Sequence, residues 1–239
     1  MQLISPSSLS ETLDAVGDAH FWGRTIGATD RKGVAAWVAQ RQGLPGAYAS
    51  TFALFPDEAR AGIRLFTGER ATNASARHIA GQEACRALRL LNAKSASACE
   101  ALATASQALA NCVGPAAPTD PKPDDGKKHG WWAYRGGTYC CGACSVGFWR
   151  HLLSGGYDQH ETRLERGLRC LRSCRKGDGK WRAYPFWYTL LALVEMPCDA
   201  AVAEIRYTAK WCELAASRKS ENPYAQRRSE LARRALARI

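Results

Sequence analysis

Apolar residues along the chain recur every three to four positions, which is the period of an α-helix with one buried face. The first such stretch brings Leu9, Leu13 and Val16 to one side. Further helices are predicted at 33–42 and across the Ala- and Leu-rich stretch 74–111, because Ala and Leu are strong helix formers. Alternating strand patterns do not occur, so the sequence predicts an all-α fold.

One segment rich in Pro, Asp and Lys interrupts the helical pattern at 114–130. It holds four prolines and no large apolar side chain, so it cannot form a packed helix. We therefore predict a linker over 114–130 between an N-terminal helical repeat region, 1–113, and a C-terminal one, 131–239.

Two stretches of the chain share a spaced pattern of basic, apolar and aromatic residues. The first reads KGVAAWVAQRQGLPGAY over 32–48, and the second reads RGLRCLRSCRKGDGKW over 166–181. Each runs from a basic residue and Gly, through an apolar pair and a polar residue, to a Gly-x-aromatic turn. We predict an outer helix that ends at a glycine turn, at Gly46 or Gly179, because glycine accepts the left-handed conformation without strain. A partial third unit ends at Tyr139.

This pattern resembles the QW repeat of squalene-hopene and oxidosqualene cyclases, which protein prenyltransferase β subunits share more loosely. These proteins are α/α toroids, in which helical hairpins stack into a barrel around an apolar cavity. The resemblance covers 32–66 and 131–196. It implies helical-hairpin repeats that form a partial α/α toroid, with an inner helix after each of Tyr48, Tyr139 and Trp181.

The resemblance also implies a function, a prenyltransferase- or terpene-cyclase-like protein that binds an apolar or isoprenoid ligand. Aromatic faces line the cavity in the cyclases and stabilise carbocations, although large rings also fill ordinary cores. The Asp-x-Asp-Asp and Asp-Asp-x-x-Asp motifs of cyclases and terpene synthases are absent from the sequence, so the activity stays open. The aromatic residues expected to line the ligand face are Tyr139, Trp149, Tyr184, Trp187 and Tyr188.

A cysteine-rich stretch offers a second chemistry. Cys140, Cys141 and Cys144 are followed by His151, and a helix would bring the last three to successive turns of one face. Thiolates and imidazoles are the ligands that zinc prefers, and in protein prenyltransferases a Cys that opens an inner helix is a zinc ligand. The alternative function is therefore a zinc-dependent transferase, whereas the simpler explanation is that small residues let helices pack closely.

A pair of cysteines further along the chain offers the same ligand type. Cys170 and Cys174 are four residues apart and share a helix face, so one pocket that gathers them with the first cluster is conceivable.

The net charge of +11 points to a third function, a basic scaffold or interaction protein. Nucleic acid is not expected as a partner, because glutamates alternate with the arginines at helical spacing. The expected partners are an apolar small molecule or peptide, and a partner subunit or second copy that completes the toroid. The arginines of the basic last helix are Arg227, Arg228, Arg233, Arg234 and Arg238.

The cysteine content and the start of the sequence indicate where in the cell the protein is expected. Ten cysteines are too few for a secreted disulfide scaffold of 239 residues, and the first residues lack a basic-then-apolar leader pattern. No stretch of eighteen apolar residues occurs. We expect a cytoplasmic protein without a transmembrane segment.

Overall fold

The structure, a computed structural model, describes residues 2–115 and 134–239. Over these residues the chain forms eleven α-helices and one two-stranded antiparallel sheet, so the all-α prediction is confirmed. The partial toroid stays a prediction. The predicted linker 114–130 lies outside the described residues except at its first two positions. The helices are α1 Leu9–Phe21, α2 Ala28–Ala39, α3 Pro56–Ala61, α4 Asn73–Leu90, α5 Ala96–Val113, α6 Gly142–Leu153, α7 His160–Ser173, α8 Phe186–Glu195, α9 Asp199–Tyr207, α10 Ala209–Ala216 and α11 Pro223–Leu236.

The strands are short and pair as a hairpin. β1, Ile63–Arg64, and β2, Arg70–Ala71, place Ile63 opposite Ala71. No described helix is long and apolar enough to cross a membrane.

The chain divides into two compact units. The first comprises Met1–Phe66, Arg70–Gly114 and Arg150–Tyr157. The second comprises Thr67–Glu69, Pro115–Trp149 and Asp158–Ile239. The predicted domain boundaries at 113 and 131 stay a prediction. Two short segments depart from them, because Thr67–Glu69 belongs to the second unit and Arg150–Tyr157 belongs to the first.

In the first unit, α1 packs on α4, and α2 packs on α4 and α5. The start of α1 is held by Glu58 of α3, whose carboxylate accepts the Leu9 and Ser10 amide N–H groups at 2.9 and 2.8 Å and the Ser8 hydroxyl at 2.7 Å. Burial acts to raise the pKa of Glu58, but hydrogen bonds from Ser10, Phe55 and Ser8 outweigh it and hold the pKa below its ordinary value. The carboxylate therefore caps two helices in its charged form.

In the second unit, α10 packs on α11, and α8 packs on α9 and α11. Arg238, just after α11, donates to the carbonyl oxygens of Leu193 at 2.7 Å, Val194 at 2.9 Å and Met196 at 2.7 Å. These carbonyls lie at the end of α8, where intrahelical donors run out. Leu193 also accepts the Met196 N–H and Met196 accepts the Cys198 N–H, and Arg238 adds a charged donor to all three. One arginine of the basic last helix region is thus a helix cap.

The two predicted glycine turns are present, and both glycines are left-handed, with φ of 90° at Gly46 and 81° at Gly179. Their loops differ in length, because the bridge that closes the first joins Gln42 to Phe52 and the bridge that closes the second joins Arg175 to Trp181. The two repeat units therefore have the left-handed glycine in common, but their turns differ in length.

Helices follow Tyr139 and Trp181 as predicted, and they are α6 and α8. Their position as inner helices of a toroid stays a prediction. The inner helix predicted directly after Tyr48 is wrong. Ala49 and Ser50 both adopt left-handed backbone conformations, and the following residues run extended until Pro56 begins α3. Proline fits the first turn of a helix, where its missing N–H is not needed.

Candidate functional site

Three cysteine thiols of the second unit meet where α6 begins. Helix α6 starts at Gly142, and a Cβ at this position would overlap the Ala183 carbonyl oxygen, so only glycine fits. Ser145 ties the preceding turn to the helix, because its hydroxyl accepts the Tyr139 N–H at 2.8 Å and donates to the Cys141 carbonyl at 2.8 Å. The local sequence thus fixes Cys141 directly before the helix and Cys144 in its first turn.

The sulfur atoms are in contact with one another. Cys141 sulfur accepts hydrogen bonds from the Cys140 and Cys144 thiols and from the backbone N–H groups of Ala143 and Cys144. The sulfur atoms of Cys140 and Cys144 lie within 4.8 Å of each other. Cys140 is exposed, Cys141 is half-buried and Cys144 is buried, so the cluster runs from the surface into the core.

The three thiols have different protonation behaviour. Hydrogen bonds from Cys140, Cys144 and the two amides lower the pKa of Cys141, against the opposing effect of burial. Hydrogen bonds to Cys140 and Cys141, with burial, raise the pKa of Cys144. The hydrogen bond to Cys141 is the main cause that raises the pKa of Cys140. Cys141 is therefore the thiol of the cluster that ionises most readily, and its place at the positive end of a helix acts in the same direction.

A pair of thiols lies near the cluster of three. Cys170 in α7 and Cys174 directly after it share a hydrogen bond between their thiols, which together with Ser173 and the charge of Arg182 lowers the pKa of Cys174 to about 6. Cys170 also interacts with the Tyr184 hydroxyl. Burial raises the pKa of Tyr184 well above its ordinary value, and the charges of Cys170, Cys174 and Cys141 add to the increase. Tyr184 therefore lies within electrostatic reach of both groups of thiols. A single pocket that gathers all these cysteines stays a prediction.

The five aromatic residues predicted to line a ligand face all fall in the second unit. Trp149, Tyr184 and Tyr188 are buried, and the first two stack at 5.7 Å between ring centroids. Trp149 donates its indole N–H to the Gly137 carbonyl at 2.7 Å. Tyr139 and Trp187 are half-buried. These contacts are those of a packed core, and a ligand-binding role for the five residues stays a prediction.

The first unit contains a cavity of about 650 Å³, lined by residues of α2 and the segment that leads into α5. None of the five aromatic residues belongs to its lining.

His151, the fourth predicted zinc ligand, belongs to the first unit and has a different environment. It is fully buried, and its ring lies edge-on to Tyr157 at 5.5 Å between centroids. Burial and the positive charges of Arg89 and Arg86 lower its pKa to about 3. It follows Cys144 by about two turns of α6, or roughly 10 Å along the axis. The three predicted cysteines are brought together, whereas a role for His151 in zinc binding stays a prediction.

Sequence reasoning assigned these cysteines to zinc and did not use a second signal in them. Cys141-Gly142-Ala143-Cys144 is a Cys-x-x-Cys pattern, which is typical of redox-active dithiols when the first Cys opens a helix. The role of Tyr184 beside Cys170 was also missed, because no spacing rule connects residues of α7 with a loop that follows it.

No protein-family model, curated protein or solved structure matches the chain. The resemblance to α/α-toroid proteins therefore rests on the pattern of residues alone and stays a prediction.

Proposed function

We propose that the second unit carries out thiol–disulfide exchange, with Cys141 as the attacking thiolate and Cys144 as the resolving thiol. The observation that carries this proposal is the position of the Cys141 sulfur, which accepts the Ala143 and Cys144 amide N–H groups at the start of α6 and contacts the Cys144 thiol. A sulfur in such a site is stabilised as the thiolate, and the thiolate is the nucleophile in disulfide exchange.

The reaction would proceed in two exchanges. Cys141 attacks one sulfur of a substrate disulfide; a bond forms between these two sulfurs, the substrate S–S bond breaks, and the other substrate sulfur leaves as a thiolate. Cys144 then gives its proton to that thiolate and attacks the Cys141 sulfur. A Cys141–Cys144 disulfide forms, and the second substrate sulfur leaves as a thiolate. Two electrons pass from the protein to the substrate.

Exposure in the cluster suits these roles. Cys141 is half-buried and within reach of a substrate, whereas Cys144 is fully buried and contacts the Cys141 sulfur. A buried resolving thiol limits side reactions with solvent oxidants. Cys140 is a positioning residue here, because its thiol donates a hydrogen bond to the Cys141 sulfur.

Trapping of the mixed disulfide tests this proposal. With a fluorescent disulfide as substrate, Cys144→Ser should accumulate the adduct on Cys141, because the resolving step is lost. Cys141→Ser should form no adduct at this cluster. Cys99→Ser, an exposed cysteine of the first unit, is the matched control and should behave as the parent. An unchanged exchange rate in Cys141→Ser would refute the proposal.

Zinc binding is the second candidate, and the presence of the third thiol favours it. The Cys140 sulfur lies within 4.8 Å of the Cys144 sulfur, so a metal could bond both together with Cys141. Structural zinc sites use such thiolate sets, completed by a fourth ligand. Elemental analysis of protein purified without chelator separates the two candidates. About one zinc per chain that is lost in Cys140→Ser supports zinc, whereas metal-free protein with an oxidisable Cys141–Cys144 pair supports exchange.

The apolar or isoprenoid ligand implied by the cyclase resemblance is a separate proposal, supported by the residue pattern. Mass spectrometry of lipids that co-purify with the chain tests it. A specific isoprenoid that is lost in Trp187→Ala would support it, and protein free of lipid under native conditions would count against it.

A further inference from the structure

A group of buried polar side chains in the first unit has no part in the thiol chemistry. Helix α4 carries Gln82, Arg86 and Arg89 at positions i, i+4 and i+7, which lie on one face. Gln82 is fully buried, Arg86 is nearly so, and Arg89 is half-buried. Glutamine and arginine side chains are rarely buried this deeply without hydrogen-bonded partners.

His151 of α6 faces the same group. The Arg89 guanidinium donates to the carbonyl oxygen of Gly156, in the same segment as His151, at 3.5 Å. The charges of Arg89 and Arg86 act on the His151 imidazole. Gly156 is left-handed, with φ of 74°, and lies directly against the Arg89 guanidinium, where a Cβ would overlap it. The missing side chain at Gly156 thus leaves space for the Arg89 guanidinium.

Several atoms of this group have no hydrogen-bond partner within residues 2–115 and 134–239. They are both ring nitrogens of His151, both amide atoms of Gln82 and the Nε of Arg89. A buried donor or acceptor without a hydrogen-bond partner destabilises the folded state. Three such groups in one unit, each from an element of regular structure, indicate that something besides the described side chains satisfies them.

The sign of the charge decides which ligand would suit the group. The Arg89 Nε, the Gln82 amide and one nitrogen of neutral His151 are donors, and the nearby guanidinium groups make the potential positive. Glu83 is the acid on this part of α4, and it already pairs with Arg150 and lies 3.9 Å from the Arg86 Nε. A cation would be repelled here, whereas oxygen atoms of an anion would accept from all three donors.

We propose that the first unit binds a small oxyanion, a phosphate, sulfate or carboxylate, between the Gln82–Arg89 face of α4 and His151. Arg89 supplies a charge-assisted hydrogen bond, and His151 and Gln82 supply neutral donors. The burial of Gln82 and His151 restricts the ligand to a few heavy atoms. This site is independent of the thiol cluster, so either proposal can fail alone.

Binding by the full-length protein is measured with inorganic phosphate as the probe, with sulfate and acetate in parallel and sodium chloride at equal ionic strength as reference. We expect at least one oxyanion to raise the melting temperature above the chloride reference. Arg89→Gln and His151→Phe should each weaken that ligand at least tenfold, the loss that corresponds to one charge-assisted hydrogen bond. Arg77→Gln, an exposed arginine of α4, is the control and should bind as the parent.

Two results would overturn the proposal. One is a melting temperature that does not differ among phosphate, sulfate, acetate and chloride. The other is equal binding in the parent, Arg89→Gln and His151→Phe, which would assign the anion to another surface. If either variant fails to fold, the ring-nitrogen resonances of His151 in the parent decide: a shift on titration with the stabilising anion supports the site, and unchanged resonances refute it.

Discussion

Single residues of the second unit show how a buried charge is stabilised. Glu204 is almost fully buried and accepts two hydrogen bonds from Arg175, at 3.0 and 2.8 Å, and one from the Trp181 indole at 2.9 Å. The burial of Trp181, with an acceptor for its N–H, could be predicted from the Gly-x-Trp turn. Glu204 could not, because its position in α9 reads as a surface acid and its partners come from a distant turn.

Replacement of Trp181 by Ala should lower the free energy of unfolding by about 3–5 kcal/mol, because a buried ring leaves a cavity and Glu204 loses a donor. Urea denaturation measures the loss. Trp181→Phe keeps much of the ring and should lose about 1–3 kcal/mol, mainly for the missing hydrogen bond. Trp22→Ala, at 40% exposure, is the control with little expected effect. A Trp181→Ala variant as stable as the parent would show that the turn is not a packing device.

Glu58 should make the free energy of unfolding of the first unit depend on pH in the acid range. Its folded-state pKa lies below the ordinary value of 4.5, so its contribution is present above that pH and is lost as the pH falls through the folded pKa. Glu58→Gln should therefore be less stable at pH 7, and the difference from the parent should shrink below about pH 4.5. Urea denaturation at pH 7 and pH 3 measures it. Asp57→Asn, whose side chain is exposed, serves as the control. A difference between parent and Glu58→Gln that is the same at both pH values would contradict this assignment.

At the scale of elements, α7 approaches the segment before α6 at two glycines. A Cβ on Gly167 would lie 2.3 Å from the Trp149 Nε1 and 2.7 Å from the Gly137 carbonyl oxygen. The helices α6, α7 and α8 could be predicted from apolar periodicity and glycine turns. The non-helical stretch 49–55 could not. Its left-handed residues Ala49 and Ser50 are followed by carbonyl bonds to the preceding turn, from the Gln42 amide to Ser50 and from the Gly43 N–H to Thr51, which no residue pattern indicates.

Gly167→Ala should lower the free energy of unfolding by about 1–3 kcal/mol, the usual result of overpacking, because the added methyl displaces the Trp149 indole from Gly137. Gly33→Ala is a matched control within α2, since a Cβ there meets no atom within 4 Å. It should leave stability unchanged or raise it by up to about 1 kcal/mol. Equal effects of the two substitutions, measured by urea denaturation, would mean that the close approach is not strained.

At the scale of the whole molecule, the chain order and the compact units do not coincide. Arg150–Tyr157 completes the first unit although it follows the predicted linker, and it supplies Arg150 to Glu83 of α4. Sequence patterns locate helices and linkers, but they do not report which unit a helix end belongs to. The same limit applies to the site: the three cysteines could be predicted to meet because they are neighbours in sequence, whereas the environment of His151 depends on α4.

A fragment of residues 1–114 should therefore hold α4 less firmly than the full chain does. Without Arg150, the partly buried Glu83 loses an ion pair, and breaking such a pair is strongly destabilising. Hydrogen exchange of the α4 amides should be faster in the fragment, and addition of a peptide that spans residues 142–157 should slow it again. Equal protection of α4 in the fragment and in the full chain would show that the first unit is complete without the later segment.

The division of the chain also bears on its synthesis by the ribosome. A nascent domain usually folds once its last residue has left the exit tunnel, with N-terminal domains first. Here the first unit lacks Arg150–Tyr157 until the stretch 115–149 of the other unit has been made. During that interval Glu83 of α4 is without Arg150, its ion-pair partner from the later segment. Folding of the N-terminal half is thus delayed by the order in which its own parts are translated.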